Sequence, residues 1–138
     1  MVIDHIGVLV KSIEKGIDYW EEAFGYKQYT EVVFNKLEKV KVVFLKKDNS
    51  VLVKLIEPID QHSTNNQFSK TRNGVHHICF KCENIEEEII RLKSLGSRLI
   101  TNPQPGEAFE NNPIAFLYSP QCGNIELIDT NVKAKKNI

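Results

Sequence analysis

The chain has no apolar run near the roughly 20 residues that a membrane-spanning helix needs, so a bilayer span is not expected. Its first residues, Met1-Val2-Ile3-Asp4-His5, lack both the basic start and the apolar segment of a signal peptide. Cysteine is scarce, and three is an odd number, so at least one thiol has no intrachain partner. All three are read as reduced thiols of a cytoplasmic protein. Neither sign of charge is in excess, with 18 basic and 18 acidic residues. That balance offers no electrostatic footprint for nucleic acid or for an anionic membrane. The one basic run, Lys133, Lys135 and Lys136, reads as a solvated terminus. No Gly-rich phosphate loop and no Ser–His–Asp arrangement is visible.

What is present suits one compact folded unit. The 138 residues are 41% hydrophobic and 26% charged, far from a disordered composition. Residues 2–10 alternate as a strand, with Ile6, Val8 and Val10 on one face and His5, Gly7 and Leu9 on the other. Ser12 is placed to cap a helix carrying Ile13, Ile17, Trp20 and Phe24, and Gly25 can end it. Strand-like runs follow around Gln28–Val33, Lys39–Lys46 and Val51–Ile56, the last two joined by a turn at Asp48-Asn49-Ser50. A polar connector, residues 59–73, has room for a short helix and contains a solvated His62.

The order then begins again. Val75–Cys82 reads as a strand. Asn84 caps a second helix, with Glu87 as its capping-box partner, a stripe of Ile85, Ile89, Leu92 and Leu95, and Gly96 at its end. Strands are expected at Arg98–Ile100, Ile114–Tyr118 and Asn124–Ile128, with a loop carrying Pro103, Pro105 and Gly106 between the first two. Asp4-His5-Ile6 matches His76-His77-Ile78, and Lys54-Leu55-Ile56-Glu57 matches Glu126-Leu127-Ile128-Asp129. Lys54 lies 49 positions after His5, and Glu126 lies 49 positions after His77. Coincident offsets at both ends point to an internal duplication. Module one spans residues 1–58, module two 74–131, and a tail covers 132–138.

Strand alternation decides where the polar residues face. If Ile6, Val8, Val10 and Ile78, Phe80, Cys82 cover the helices, His5 and His77 face the other side. Lys54 and Glu126 do the same in the last strands. His76 is expected on the helix side or against a loop. Cys79 lines the cleft and Cys82 the core, so this C-x-x-C is not a shared zinc site. Two imidazoles and a carboxylate on rigid strands form a divalent-metal set suited to Zn, Co, Ni, Mn or Fe. For each histidine alone, a satisfied, partly buried side chain is the commoner role. Their equivalence in the repeat is what raises the set above that.

The stretches DHIGVLV, GVHHICFKCENIEEEIIRLKSLG and IAFLYSPQCGNIELID resemble the vicinal oxygen chelate superfamily. That superfamily includes glyoxalase I, extradiol dioxygenases, bleomycin-resistance proteins and methylmalonyl-CoA epimerase, and the likeness is greatest to the epimerase. The resemblance implies an α+β fold in which two tandem βαβββ modules form a cupped, eight-stranded mixed sheet. It implies ligands at His5, Lys54, His77 and Glu126, a homodimer, and a small-molecule carbonyl or carboxylate substrate. Lys54 departs from the family, which carries Gln, Glu or His there, because an ammonium has no lone pair for a metal. Three readings stay open: a His5–His77–Glu126 metal triad, a metal-free site in which Lys54 pairs with Glu126, or Lys54 working as a base or imine-forming amine. The implied reaction is metal-assisted isomerisation or epimerisation by proton removal beside a carbonyl, with Glu126 and Lys54 catalytic and Lys54, Cys79 and Tyr118 lining the substrate cleft. A metal-free binding or resistance-type protein is the alternative, and a lyase or extradiol-type dioxygenase a further one. The acidic loop around Glu107 and Glu110 does not favour an acyl-CoA phosphate.

Overall fold

The computed structural model describes residues 1–59, 68 and 72–135. In chain order it contains β1 (Val2–Leu9), α1 (Ile13–Phe24), β2 (Lys27–Gln28), β3 (Val33–Asn35), β4 (Val40–Lys46), β5 (Leu52–Pro58), β6 (Gly74–Lys81), α2 (Ile85–Ser94), β7 (Arg98–Gly106), a 3-10 turn at Glu107–Phe109, β8 (Asn112–Ser119) and β9 (Gly123–Ile128). The short helix expected in the connector, and His62, fall outside the described residues. No described helix is long and apolar enough to cross a membrane.

The caps follow the sequence. Ser12 accepts the Lys15 N–H, and Gly25 closes α1 in the left-handed region at φ 74°. Asn84 accepts the Glu87 N–H at the start of α2. Each helix buries its stripe on its own half of the sheet. Ile13 packs with Val8, Val43, Val53 and Leu55, while Ile85 and Ile89 pack with Ala115, Leu117, Ile125 and Leu127. Full burial of one such aliphatic side chain stabilises by about 1.5–3 kcal/mol.

The sheet order is β2-β4-β5-β1-β6-β9-β8-β7, with β3 also on β4. It reads the same from either edge toward the middle, as a duplication requires. β1 runs parallel to β5, β6 runs parallel to β9, and the two modules join where β1 meets β6 antiparallel. The strand expected at Gln28–Val33 is split into β2 and β3, which occupy one position beside β4. The split sits at Thr30, whose hydroxyl takes the Phe44 N–H in place of a ladder carbonyl. Thr101 does the same for Phe116 in the second half.

The loop expected around Pro103 and Pro105 is instead the continuation of β7, paired with β8 through to Gly106. β7 is an edge strand, where a missing backbone N–H can face away from the ladder. The tail also differs from expectation. Lys133 and Ala134 are buried, and the Ala134 N–H donates to the Ala108 carbonyl at 2.8 Å. The face opposite the helices holds a separate core of Leu9, Val42, Phe44, Ile56, Phe68, Phe109 and Phe116.

Candidate metal centre

Strand alternation places His5, Lys54, His77 and Glu126 on that second face. All four are buried, with His5 and Glu126 fully shielded from solvent. His5 Nε2 and His77 Nε2 lie 3.0 and 3.1 Å from Glu126 Oε1, and 3.4 Å from each other. Ligand atoms about 2.1 Å from one ion stand about 3.0 Å apart in octahedral and 3.4 Å apart in tetrahedral arrangements. The spacing of these three fits one divalent ion. Among the described residues neither oxygen of Glu126 has a partner in hydrogen-bond geometry, although both are buried. A buried carboxylate left so is costly unless something else meets its lone pairs. The same three residues form a group whose ligand atoms lie within 4.8 Å of one another.

Lys54 comes to the fourth corner but does not touch the histidines. Its Nζ lies 3.7 Å from Glu126 Oε2 and over the Phe109 ring, 5.0 Å from the centroid. Glu126 therefore divides its oxygens: Oε1 faces the imidazoles and Oε2 faces the ammonium. The triad and the Lys54–Glu126 pair, alternatives on sequence grounds, coexist in one geometry.

The electrostatics follow from burial. Burial alone would push the Glu126 carboxyl up, but Lys54 and the two imidazoles hold it well below the usual carboxylate range. Burial pushes His77 down to about 4, against the pull of Glu126. It pushes His76 down to about 3, with His77 adding to the effect. Both are neutral imidazoles at pH 7, the form that can offer a lone pair.

Several residues that shape the centre went unassigned in the sequence. Gly7 is one: a Cβ there would stand 2.2 Å from His77 Cε1 and 2.5 Å from its Nε2, so only glycine lets that ring lie across β1. Asp4 is another. Its Oδ2 meets His5 Nδ1 at 2.7 Å and its Oδ1 meets Lys133 Nζ at 3.0 Å. Burial disfavours the Asp4 charge, yet His5 and Lys133 keep its carboxyl below the ordinary range. Of the two places expected for His76, it takes the one against the connector, not the helix side. Its ring packs on Phe68 and Phe116, and its Nδ1 meets His77 Nδ1 at 2.8 Å. The repeat itself was the available signal, since it aligns Asp4-His5 with His76-His77.

Two expected cleft residues behave differently from the four. Cys79 is fully buried beside Asp4 and His5, and burial pushes its thiol well above the ordinary range. Cys82 lies across the sheet with α2, so the two thiols do face opposite sides. Tyr118 is 40% exposed and its ring lies under the Arg98 guanidinium, 5.7 Å away. All three cysteines are free.

With this geometry in hand, comparison with known proteins gives a consistent answer. A family profile described as Glyoxalase/Bleomycin resistance protein/Dioxygenase superfamily matches residues 4–116. The mitochondrial methylmalonyl-CoA epimerase of Mus musculus is 27% identical over 125 residues, which is 89% of this chain and 68% of the epimerase. The uncharacterized protein YqjC of Bacillus subtilis (strain 168) is 31% identical over 92% of this chain and 89% of its own. Among solved structures, a hypothetical protein from Bacillus halodurans C-125 matches with a TM-score of 0.77 at 27% identity, covering 97% of each chain. A Streptomyces coelicolor methylmalonyl-CoA epimerase in complex with 2-nitronate-propionyl-CoA matches with a TM-score of 0.77 at 22% identity, over 97% of this chain and 98% of that one, a likeness of fold.

Proposed function

The chain belongs to the Glyoxalase/Bleomycin resistance protein/Dioxygenase superfamily, and on that premise we propose that it is a metal-assisted isomerase or epimerase. It would remove and return a proton beside the carbonyl of a small carbonyl or carboxylate compound. The observation that carries this reading is the trio of His5 Nε2, His77 Nε2 and Glu126 Oε1, buried and 3.0–3.4 Å apart. His5, His77 and Glu126 would hold a divalent ion, which when bound supplies Lewis-acid stabilisation of an enolate.

The chain's own groups do the rest. Oε2 of Glu126, the oxygen turned away from the histidines, is placed to take the proton. Lys54 beside it lowers its basicity, so the carboxylate is a poor base while the two stay paired. A substrate oxygen that draws the Lys54 ammonium to itself would release that restraint and be stabilised by the same charge. The rings of Phe44 and Phe109 keep water from this space. The substrate class of the epimerase relatives, an acyl-CoA, is the first to try. The acidic Glu107 and Glu110 at the 3-10 turn do not favour the phosphates of an acyl-CoA, so small carbonyl compounds are tried beside it.

The test combines elemental analysis with α-proton exchange. Protein purified without chelator should carry up to one equivalent of divalent metal, lost in His77→Ala. In D2O it should exchange the α-proton of methylmalonyl-CoA or of a small 2-methyl-3-oxo acid, and EDTA should stop that exchange. A chain that takes up no metal at millimolar Zn, Co or Mn overturns the reading. A metal-free binding protein is then the better account, and the Lys54–Glu126 pair is the observation in its favour.

A further inference from the structure

The ladder between β1 and β6 slips twice. Ile3 pairs with Phe80 and His5 with Cys79, leaving Asp4 unpaired on β1. Gly7 pairs with His77 and Val8 with Val75, leaving His76 unpaired on β6. These are β-bulges, and they are reciprocal: each module contributes one, at the residue just before its cleft histidine. A bulge turns a residue that strand alternation would send to the far face back beside its neighbour. Here it sets Asp4 Oδ2 on His5 Nδ1 at 2.7 Å and His76 Nδ1 on His77 Nδ1 at 2.8 Å. Both outer ring nitrogens are thus occupied, and both Nε2 atoms are turned to Glu126.

We infer that Asp4 and His76 are the positioning residues of this centre, put in place by the paired bulges to hold His5 and His77 in the tautomer that frees Nε2. The inference rests on the metal-site reading above and deepens it. An ionised Asp4 only accepts, so His5 carries a proton on Nδ1, and Nε2, 3.0 Å from Glu126 Oε1, is the nitrogen left to face an ion. His76 is an imidazole and can donate or accept. When His77 gives its Nε2 lone pair to an ion, its Nδ1–H must donate to His76 Nδ1, and His76 then carries its own proton on Nε2. Among the described residues that Nε2 is buried without a partner. The pairing is unequal by design: a carboxylate makes His5 the stronger donor, a neutral imidazole leaves His77 the weaker one.

The experiment needs no turnover. Nitrogen-15 spectra of the imidazoles should show His5 protonated at Nδ1 with and without metal. With Zn bound, His77 should show a protonated Nδ1 and His76 a protonated Nε2. Zn affinity, measured by competition with a chromophoric chelator, should fall about 10- to 100-fold in Asp4→Ala and in His76→Phe. Asp4→Asn, which still accepts from Nδ1, should recover most of the loss. His76→Phe keeps a ring against Phe68 and Phe116, and Arg91→Gln, on the outer face of α2, should leave Zn affinity within threefold, which separates positioning from general loosening of the cleft.

His5 without a proton on Nδ1, or full Zn affinity in folded Asp4→Ala and His76→Phe, overturns the inference. Failure of the wild type to bind Zn with His5 still fixed at Nδ1 would instead overturn the metal reading and leave the Asp4 arm standing.

Discussion

Replacing Lys54 with glutamine tests the centre at its most unusual point. The ammonium sits 3.7 Å from Glu126 Oε2, and both side chains are nearly or fully buried. At an effective dielectric of about 20, that pair is worth about 4 kcal/mol of Coulomb attraction. Breaking a buried pair by removing one partner costs about 3–5 kcal/mol. Glu126 can limit the cost by taking up a proton, so Lys54→Gln should lose about 2–4 kcal/mol of stability in metal-free protein. Divalent metal should reverse much of this. The amide brings a carbonyl donor and removes a repelling charge, so Zn or Co should bind at least tenfold more tightly, about 1.4 kcal/mol. Metal at 100 times its Kd would then return about 2.7 kcal/mol to the folded state. Urea unfolding with and without metal reads the stabilities, and calorimetric titration reads the affinity. A variant as stable as wild type without metal, and no tighter with it, would show that Lys54 is a bystander and refute the divided-carboxylate argument.

Three further outcomes are expected. Folded stability should fall as pH drops through 6.5 toward 4, ahead of ordinary carboxylate titration. His76 and His77 are held at about 3 and about 4, so between those values and 6.5 the unfolded chain binds protons that the native chain refuses. Stability is therefore whole above pH 6.5 and erodes below it, on the order of 3 kcal/mol for each histidine, less for their coupling. A flat stability profile between pH 7 and 5 would contradict this. Gly7→Ala should cost about 1–3 kcal/mol and abolish metal uptake, because the new methyl stands within 2.6 Å of three His77 ring atoms. Unchanged Zn affinity in that variant would show that the His77 ring does not need this approach. In native protein a thiol reagent should label only Cys122, which is exposed, and reach buried Cys79 and Cys82 only after unfolding. Fast labelling of Cys79, whose thiol burial pushes well up, would mean that the face beneath Phe109 is open to solvent.

The parts of this fold that were legible in the sequence are those set by periodicity and by the duplication. Period-two alternation sent His5, Lys54, His77 and Glu126 to one face because a strand side chain has only two faces to choose from. Matched offsets paired the strands that carry them. What was left open or misread shares a cause: each case depends on one residue breaking the period, or on a contact distant in sequence. A single extra residue at His76 turns its ring from the helix side to the cleft, and nothing in GVHHICF marks the bulge. Pro103 and Pro105 suggest a loop until β7 is known to be an edge. Lys133 looks like part of a solvated basic tail, yet it closes on Asp4 from 129 residues away.

Lys54 need not displace a metal, and the reason is a matter of charge order. Along the cleft floor the groups run Lys133, Asp4, His5, Glu126, Lys54, with neighbours 3.0, 2.7, 3.0 and 3.7 Å apart. Two ammoniums close the ends, two carboxylates lie within, and a neutral-capable imidazole links them. Each cation is thus paired with its own carboxylate, Lys133 with Asp4 and Lys54 with Glu126. A divalent ion between His5, His77 and Glu126 Oε1 would meet the negative interior of this row and not its positive ends. Lysine at the fourth corner still repels a metal, but Glu126 lies between the two and offsets much of that repulsion. Held on the far oxygen of Glu126, it neutralises charge that a buried carboxylate could not otherwise keep, and it does so without entering the ligand set.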